Sequence, residues 1–381
     1  MSNNTSKRTV RVLVTGSNGF IGKNLLVRLQ EMENILLSTF VRADDISLLP
    51  NLVSSSDIII HLAAENRPQN PDDFELVNVG LTKKICDALR VEYAENGRKV
   101  KLIFASSIQA EINNFYGRSK FNAEKEIQTL NEELQNPSII FRYPGVFGKW
   151  CRPNYNSVVA TFCNNIANGY PIKIHDPYTT IKLIYIDDLI EEIIEAFKLE
   201  DCILRWGKVT PEYNINLGDL AQKIKEFEKI RLNSKVGPVS KGFDRALYST
   251  YISYLPSDKF SYEVSKYKDE RGVFVEMLKT QESGQFSFFT AYPGVTRGGH
   301  YHHTKTEKFM VIKGSALFRF RDLNTGVISE LKTSDQKTEI VDTIPGSAHN
   351  ITNIGTDELI VMLWANEIFD PENPDTYVSK V

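Results

Sequence analysis

The stretch Val10–Gly22, VRVLVTGSNGFIG, constrains the fold more than any other part of the chain. A β-branched, apolar run ends in three glycines, Gly16, Gly19 and Gly22, and NLLVRLQEM follows at helical spacing. Strand, tight turn and helix in that order form the first unit of a parallel sheet crossed over by helices. The alternation continues through DIIIHLAA (strand), GLTKKICDALRVEYAE (helix) and VKLIFASS (strand). It predicts a Rossmann-like, doubly wound α/β half. SIIFRYPGVFG, IKLIYIDDLIEEIIEAF and YNINLGDLAQKIKEFEKI extend the mixture into a smaller lobe over the carboxyl ends of the strands.

The pattern then changes. Residues 231–255 fit no strand series and read as the tail of that lobe plus a linker. Beyond them GQFSFFTAY, KFMVIKGSALFRFRD, KTEIVDTIP and LIVMLWANE are short strands set apart by turn residues, with almost no helical period. An all-β barrel or jelly roll is expected there. A chain of 381 residues exceeds what a single core usually supports. The expected division is 1–255 for the α/β domain and 256–381 for the β domain.

Bulk chemistry narrows the function. Forty-five basic against 48 acidic residues give a net charge of −3 without a long basic run, which argues against nucleic acid as a partner. No apolar stretch approaches the roughly 20 residues that span a bilayer, and the start, MSNNTSKRT, lacks the apolar core of a signal peptide. A short polar tail on a cytoplasmic enzyme is expected. Cys86, Cys151, Cys163 and Cys202 are spaced for neither a disulfide framework nor a CxxC metal site, and are read as reduced thiols.

The loop Gly16, Ser17, Asn18, Gly19, Phe20, Ile21, Gly22 suits a pyrophosphate: its glycines allow a tight turn and close backbone approach, and a helix N-terminus faces the negative charge. Arg42 ends the next strand, ILLSTFVR, where a carboxylate would bind a ribose 2′-hydroxyl. Arginine there favours a 2′-phosphate, hence NADPH over NADH. A solvated surface arginine is the plain alternative, and Asp44 or Asp45 can reverse the choice. In YGRSK, Tyr116 and Lys120 lie one helical turn apart, so the lysine can lower the phenol's pKa and fix a ribose while Tyr116 exchanges a proton. Ser107, ending VKLIFASS, can hydrogen-bond the same carbonyl oxygen.

Three of the six histidines fall in GGHYHHTKTEKFMVIKG. In a strand His300 and His302 share one face while Tyr301 and His303 take the other. With Glu307 and, in PGSAHNITN, His349, they form a set able to hold one divalent cation. Ligand type alone admits zinc, iron, manganese or nickel; zinc, a Lewis acid without redox chemistry, is the expectation. His303 is a second-sphere group or simply exposed.

The first region, about residues 11–227, resembles the extended short-chain dehydrogenase/reductase family through TGSNGFIG, DIIIHLAA, Asn78, ASS, YGRSK, RYPGVFG and IYIDDL. The resemblance implies a nicotinamide cofactor, Ser107, Tyr116 and Lys120 as the catalytic set, and Ala63 and Ala64 against the cofactor. Gly145, Phe147 and Ile181 depart from the pattern of many relatives, so substrate contacts do not carry over. Residues 272–366 resemble the cupin superfamily: Gly294, His300, His302, Glu307 and Gly314 match its first motif, and Pro345, Gly346, His349 and Asn353 its second.

The fusion as a whole resembles bifunctional capsular polysaccharide enzymes of the CapF type. That implies a cupin-catalysed C3-epimerisation of the UDP-linked 4-ketosugar UDP-2-acetamido-2,6-dideoxy-L-arabino-hexos-4-ulose. Reduction of the 4-ketone by NADPH follows, giving UDP-2-acetamido-2,6-dideoxy-L-talose on the route to UDP-N-acetyl-L-fucosamine. Tyr292, His303 and Lys308 are the candidate cupin bases by chemistry alone. A homodimer through the cupin is expected. Two other readings remain: a metal cupin that serves only dimerisation, and an iron cupin that acts as an oxygenase.

Overall fold

The computed structural model describes residues 9–199 and 203–381, so most of the polar start and Cys202 lie outside the described residues. Contacts divide the chain into two units. One comprises the residues up to Gln222 with Ser249–Tyr254; the other comprises Lys223–Tyr248 and Leu255–Val381.

The strands of the first unit are β1 (Val10–Thr15), β2 (Ile35–Phe40), β3 (Ile58–His61), β4 (Lys101–Ser107), β5 (Ser138–Tyr143), β6 (Gly145–Phe147), β7 (Thr180–Tyr185), β8 (Leu204–Gly207) and β9 (Tyr213–Asn216). Six of them form a sheet in the order β2-β1-β3-β4-β5-β8, parallel throughout. Its helices include α1 (Phe20–Gln30), α2 (Leu49–Ser54), α3 (Gly80–Asn96) and α4 (Phe115–Leu134). Aliphatic strand residues such as Leu13, Ile59, Leu102 and Ile140 pack with Ile85, Leu89, Ile127 and Leu130 from α3 and α4 into one core. The strand order reverses between β1 and β3, and in such sheets the crevice outside the carboxyl ends at that point is the ligand site. β6, β7 and β9 make a separate three-stranded sheet, the smaller lobe.

The second unit is dominated by two facing antiparallel sheets. One runs Gly272–Thr280, Gly284–Ala291, Leu359–Ala365, Glu307–Lys313. The other runs Ile328–Ser334, Ser315–Asp322, Ser347–Asn353, Thr296–Tyr301, Tyr377–Val378. Phe289, Phe309, Val311, Phe318, Ile351 and Val361 fill the space between them. This is the expected jelly-roll core.

One expectation fails. Part of the stretch read as a linker is a helix, Gly242–Ile252, whose Ala246, Leu247 and Tyr251 are buried. Before it, Lys235–Val236 adds a short parallel strand beside Lys279–Thr280 of the β unit.

Candidate active sites

At the crevice of the first sheet, Gly16 adopts a left-handed φ of +71°, and a Cβ there would lie 2.6 Å from the Ala63 nitrogen. Only glycine lets the loop press against the end of β3 in this way. The chain so folded borders a cavity of about 640 Å³ lined by Gly16, Gly19, Arg42, Ala63 and Ala64 among others. Ser17, Phe20, Ile21, Gly22, Tyr116 and Lys120, also expected at the cofactor, do not line it. A wall the sequence did not suggest, Leu76, Val77, Gly80, Leu81 and Lys84 from the start of α3 and the π-helical turn before it, closes the other side. A loop with no side chain in the way and an open cavity beside it fits a dinucleotide.

Arg42 is exposed and donates to Glu65 Oε2 at 2.5 Å. The two nearby acids are occupied locally: Asp44 accepts from the Val41 N–H at 2.7 Å, and Asp45 caps a short 3-10 turn through the Ser47 N–H at 2.9 Å. Glu65 is itself positioned by Asn78, which accepts its N–H at 2.7 Å and donates to its carbonyl at 3.0 Å.

Ser107 ends β4, while Tyr116 and Lys120 lie on one face of α4. Burial pushes the Tyr116 phenol up, and a hydrogen bond with Ser107 opposes it. Lys120 is buried, and its ammonium donates to the Ala105 carbonyl at 2.6 Å and lies 4.6 Å from the centroid of the Phe104 ring. Burial lowers its pKa to about 8. The lysine therefore engages β4, and burial together with Ser107, rather than the lysine expected from the sequence, governs the phenol. Beneath it Glu124, buried, accepts from Ser106 at 2.5 Å and from Arg142 at 2.9 and 2.7 Å, bracing α4 on β4 and β5.

In the second unit His300, His302, Glu307 and His349 bring one ligand atom each to within 4.8 Å of one another. His302 and His349 point their Nε2 atoms at Glu307 Oε2, 3.2 and 3.3 Å away. His349 Nδ1 is buried without a hydrogen-bond partner. Burial, then His349, lowers the His300 pKa to about 4, so the imidazole is neutral and its lone pair free at pH 7. Glu307 is raised by burial but brought below the usual carboxylate range by His302 and His349. Three imidazoles and a carboxylate around a common point fit a divalent cation. His302 and His303 are set by a later segment. Asp375 receives the backbone N–H groups of His303, Thr304 and Lys305 at 2.9, 2.7 and 2.8 Å, and its carbonyl pairs with His302 Nδ1.

Three of these ligands, His300, Glu307 and His349, line a cavity of about 480 Å³. A β-bulge shapes its wall. Arg297 pairs with Ile351 and His300 with His349, with an extra residue between, and Gly298 and Gly299 take left-handed φ values of +94° and +79°. The bulge turns an odd spacing into a shared face, so Arg297 and His300 both line the cavity.

The three candidate bases do not. Tyr292 is 40% exposed, Lys308 pairs with Asp342 at 2.5 Å, and His303 packs against Tyr301 and Tyr377; none lines the cavity. The proton-transferring side chains that do line it include Lys305, Glu276, Glu367 and Tyr267. The strand Thr296–Tyr301 ends before His303, which sits in the turn beyond it; for Tyr292 and Lys308 chemistry without orientation was a poor guide.

Fold and sites together define a nucleotide-binding α/β domain joined to a cupin. Residues 12–202 match the NAD dependent epimerase/dehydratase family and residues 267–377 the polysaccharide biosynthesis C-terminal domain. The chain is 52% identical over 374 residues, 98% of its own length and 99% of the other's, to the UDP-2-acetamido-2,6-beta-L-arabino-hexul-4-ose reductase of Pseudomonas aeruginosa. It also resembles the capsular polysaccharide assembling protein CapF of Staphylococcus aureus, at 38% identity and a TM-score of 0.88 over 97% of this chain and 100% of that one. A UDP-glucuronic acid 4-epimerase of Bacillus cereus, 19% identical with a TM-score of 0.51 over 57% of this chain and 83% of its own, shares the fold. The chain belongs to the NAD dependent epimerase/dehydratase family and, over its full length, to the CapF type within it.

Proposed function

We propose that the chain is a bifunctional nucleotide-sugar enzyme. Its cupin inverts C3 of UDP-2-acetamido-2,6-dideoxy-L-arabino-hexos-4-ulose, and its α/β domain reduces the 4-ketone with NADPH to UDP-2-acetamido-2,6-dideoxy-L-talose. The observation that carries the reading is the near-complete match to a UDP-ketosugar reductase in a chain with two separate cavities, each with its own chemistry. The working division is 1–255 and 256–381.

In the reductase half, bound NADPH supplies the hydride. Glycines 16, 19 and 22 with Arg42, Ala63 and Ala64 would hold it, and Lys120 would hold its ribose. Tyr116, kept protonated at neutral pH by burial, gives its proton to O4, and Ser107 hydrogen-bonds the same oxygen.

In the cupin half, His300, His302, Glu307 and His349 would hold one divalent ion, for which zinc is our reading, and the ion supplies positive charge near a developing enolate. The 4-ketone acidifies the C3 proton, a protein base removes it, and protonation from the opposite face inverts the centre. Later reduction consumes the ketone, so the product no longer epimerises. The apolar outer face of the barrel, with Met310, Ile340, Met362 and Trp364, supports a homodimer through this domain; sedimentation tests it.

The test separates the halves. Tyr116→Phe, in deuterium oxide with the 4-ketosugar and no NADPH, is expected to exchange the C3 proton at the parent rate while reduction stops. In the full chain, His302→Ala combined with Tyr116→Phe is expected to abolish exchange. Undiminished exchange in that variant makes the cupin a structural module, and oxygen uptake with a UDP-sugar makes it an oxygenase.

A further inference from the structure

Arg297 is unusual for a cavity-lining arginine. Its guanidinium is sunk in the wall of the cupin cavity, with Nε donating to the Thr290 carbonyl at 2.8 Å and the ring of Phe289 5.4 Å away. Its Nη2 is buried and makes no hydrogen bond. The nearest carboxylate is Asp269 at 3.7 Å, beyond hydrogen-bond reach, and Asp269 is already engaged by Arg271 at 2.5 and 3.0 Å. Burial works against the charge of Arg297, and Asp269 only partly offsets this. A buried donor on a charged group without an acceptor is destabilising, so a position that keeps one calls for an acceptor from outside.

The position is built. The bulge at Gly298 and Gly299 brings Arg297 onto the ligand face, and Arg271 and Lys305 line the same cavity. The other lining carboxylates are committed or set apart. Glu307 belongs to the metal set, Glu276 pairs with Lys279 at 2.6 Å, and Glu367 lies on the chain beyond the strand Leu359–Ala365. Aromatic rings of Tyr267, Phe274 and Phe369 make up much of the remaining wall.

We infer that Arg297, supported by Arg271, is a diphosphate subsite: it binds the pyrophosphate of a nucleoside diphosphate sugar whose hexose lies toward His300 and His349. The inference rests on the reading of the cupin as a nucleotide-sugar site and names how such a substrate is held there. A planar guanidinium with a free edge matches phosphate oxygens in a way that an ammonium does not.

Hydrogen exchange of the full chain with UDP tests this without requiring turnover. UDP is expected to protect peptides covering 267–271 and 290–303, and inorganic pyrophosphate to do the same where uridine does not. In Arg297→Gln the cupin protection should require roughly ten- to a hundredfold more UDP, the worth of a charged hydrogen bond, while protection at the glycine loop is unchanged. Arg297→Lys, which keeps the charge and most of the packing, should fall between the two. Metal content and melting temperature equal to the parent's verify that each variant is folded. No UDP protection of the cupin peptides in the parent chain, or protection that survives Arg297→Gln, overturns the subsite. Protection of the cupin in a chain that never exchanges the C3 proton leaves the subsite standing and removes the epimerase reading instead.

Discussion

The backbone carbonyl of Asp375 pairs with Nδ1 of His302, across 73 positions of sequence. A carbonyl only accepts, so Nδ1 carries the hydrogen and Nε2 is left as the lone-pair nitrogen that faces Glu307. The Asp375 carboxylate fixes the same turn through three backbone N–H groups and the Thr304 hydroxyl. Groups that orient a metal-binding histidine in this way typically change affinity by roughly 10–100-fold when removed. Asp375→Ala is expected to lose metal to a competing chelator in that range while the barrel stays folded. Parent-like retention would show that the turn holds its shape unaided.

His302→Ala and His349→Ala are each expected to fall well below one metal per chain and to melt at lower temperature, since bound metal stabilises the folded state by mass action. Elemental analysis and calorimetry with and without chelator provide the check. Full occupancy in either variant would place the ion elsewhere. Acid should also destabilise the fold: burial holds His300 at about 4, below the ordinary imidazole value of about 6.5, so the unfolded chain binds more protons between those pH values and stability falls as pH drops through them.

Arg42→Ala should weaken NADPH more than NADH, by roughly three- to tenfold, a modest factor because the side chain is exposed and shared with Glu65. Fluorescence titration with both cofactors measures it. Equal losses would remove Arg42 from the phosphate site.

Lys120 predicts a pH limb. Burial brings its folded pKa down to about 8, so its charge disappears as pH rises through that value, not below it. Reduction is expected to decline about tenfold per pH unit above 8, and Lys120→Arg, which stays charged, should carry the limb to higher pH. A flat profile to pH 10 in the parent would show that the ammonium is not needed.

Much of this was legible because it is local. The loop at Gly16 and the period of the strands around it declare an α/β sheet within 13 residues, and His300, His302 and Glu307 lie close enough together to be recognised as a set. The helix Gly242–Ile252 was not legible: its Tyr, Ser and Thr are indifferent helix formers, and packing of Ala246, Leu247 and Tyr251 decides the matter. Arg297 escaped notice because an odd spacing from His300 reads as the opposite face until a bulge is known. Asp375 escaped because nothing in a sequence ties it to a turn seven decades of residues earlier. The cupin base candidates were named by reactivity, and reactivity says nothing of direction.

The link between Asp375 and His302 also sets an order of events. During synthesis the histidines of the first motif emerge long before the residue that fixes their orientation, so an unfinished chain presents imidazoles without a defined tautomer. Closure of so long a loop comes late in folding because its entropy must be met before its contacts form. For the proposed metal site this places capture of an ion with native geometry after Asp375 has joined the fold, and a barrel stalled before Asp375 would compete poorly for it.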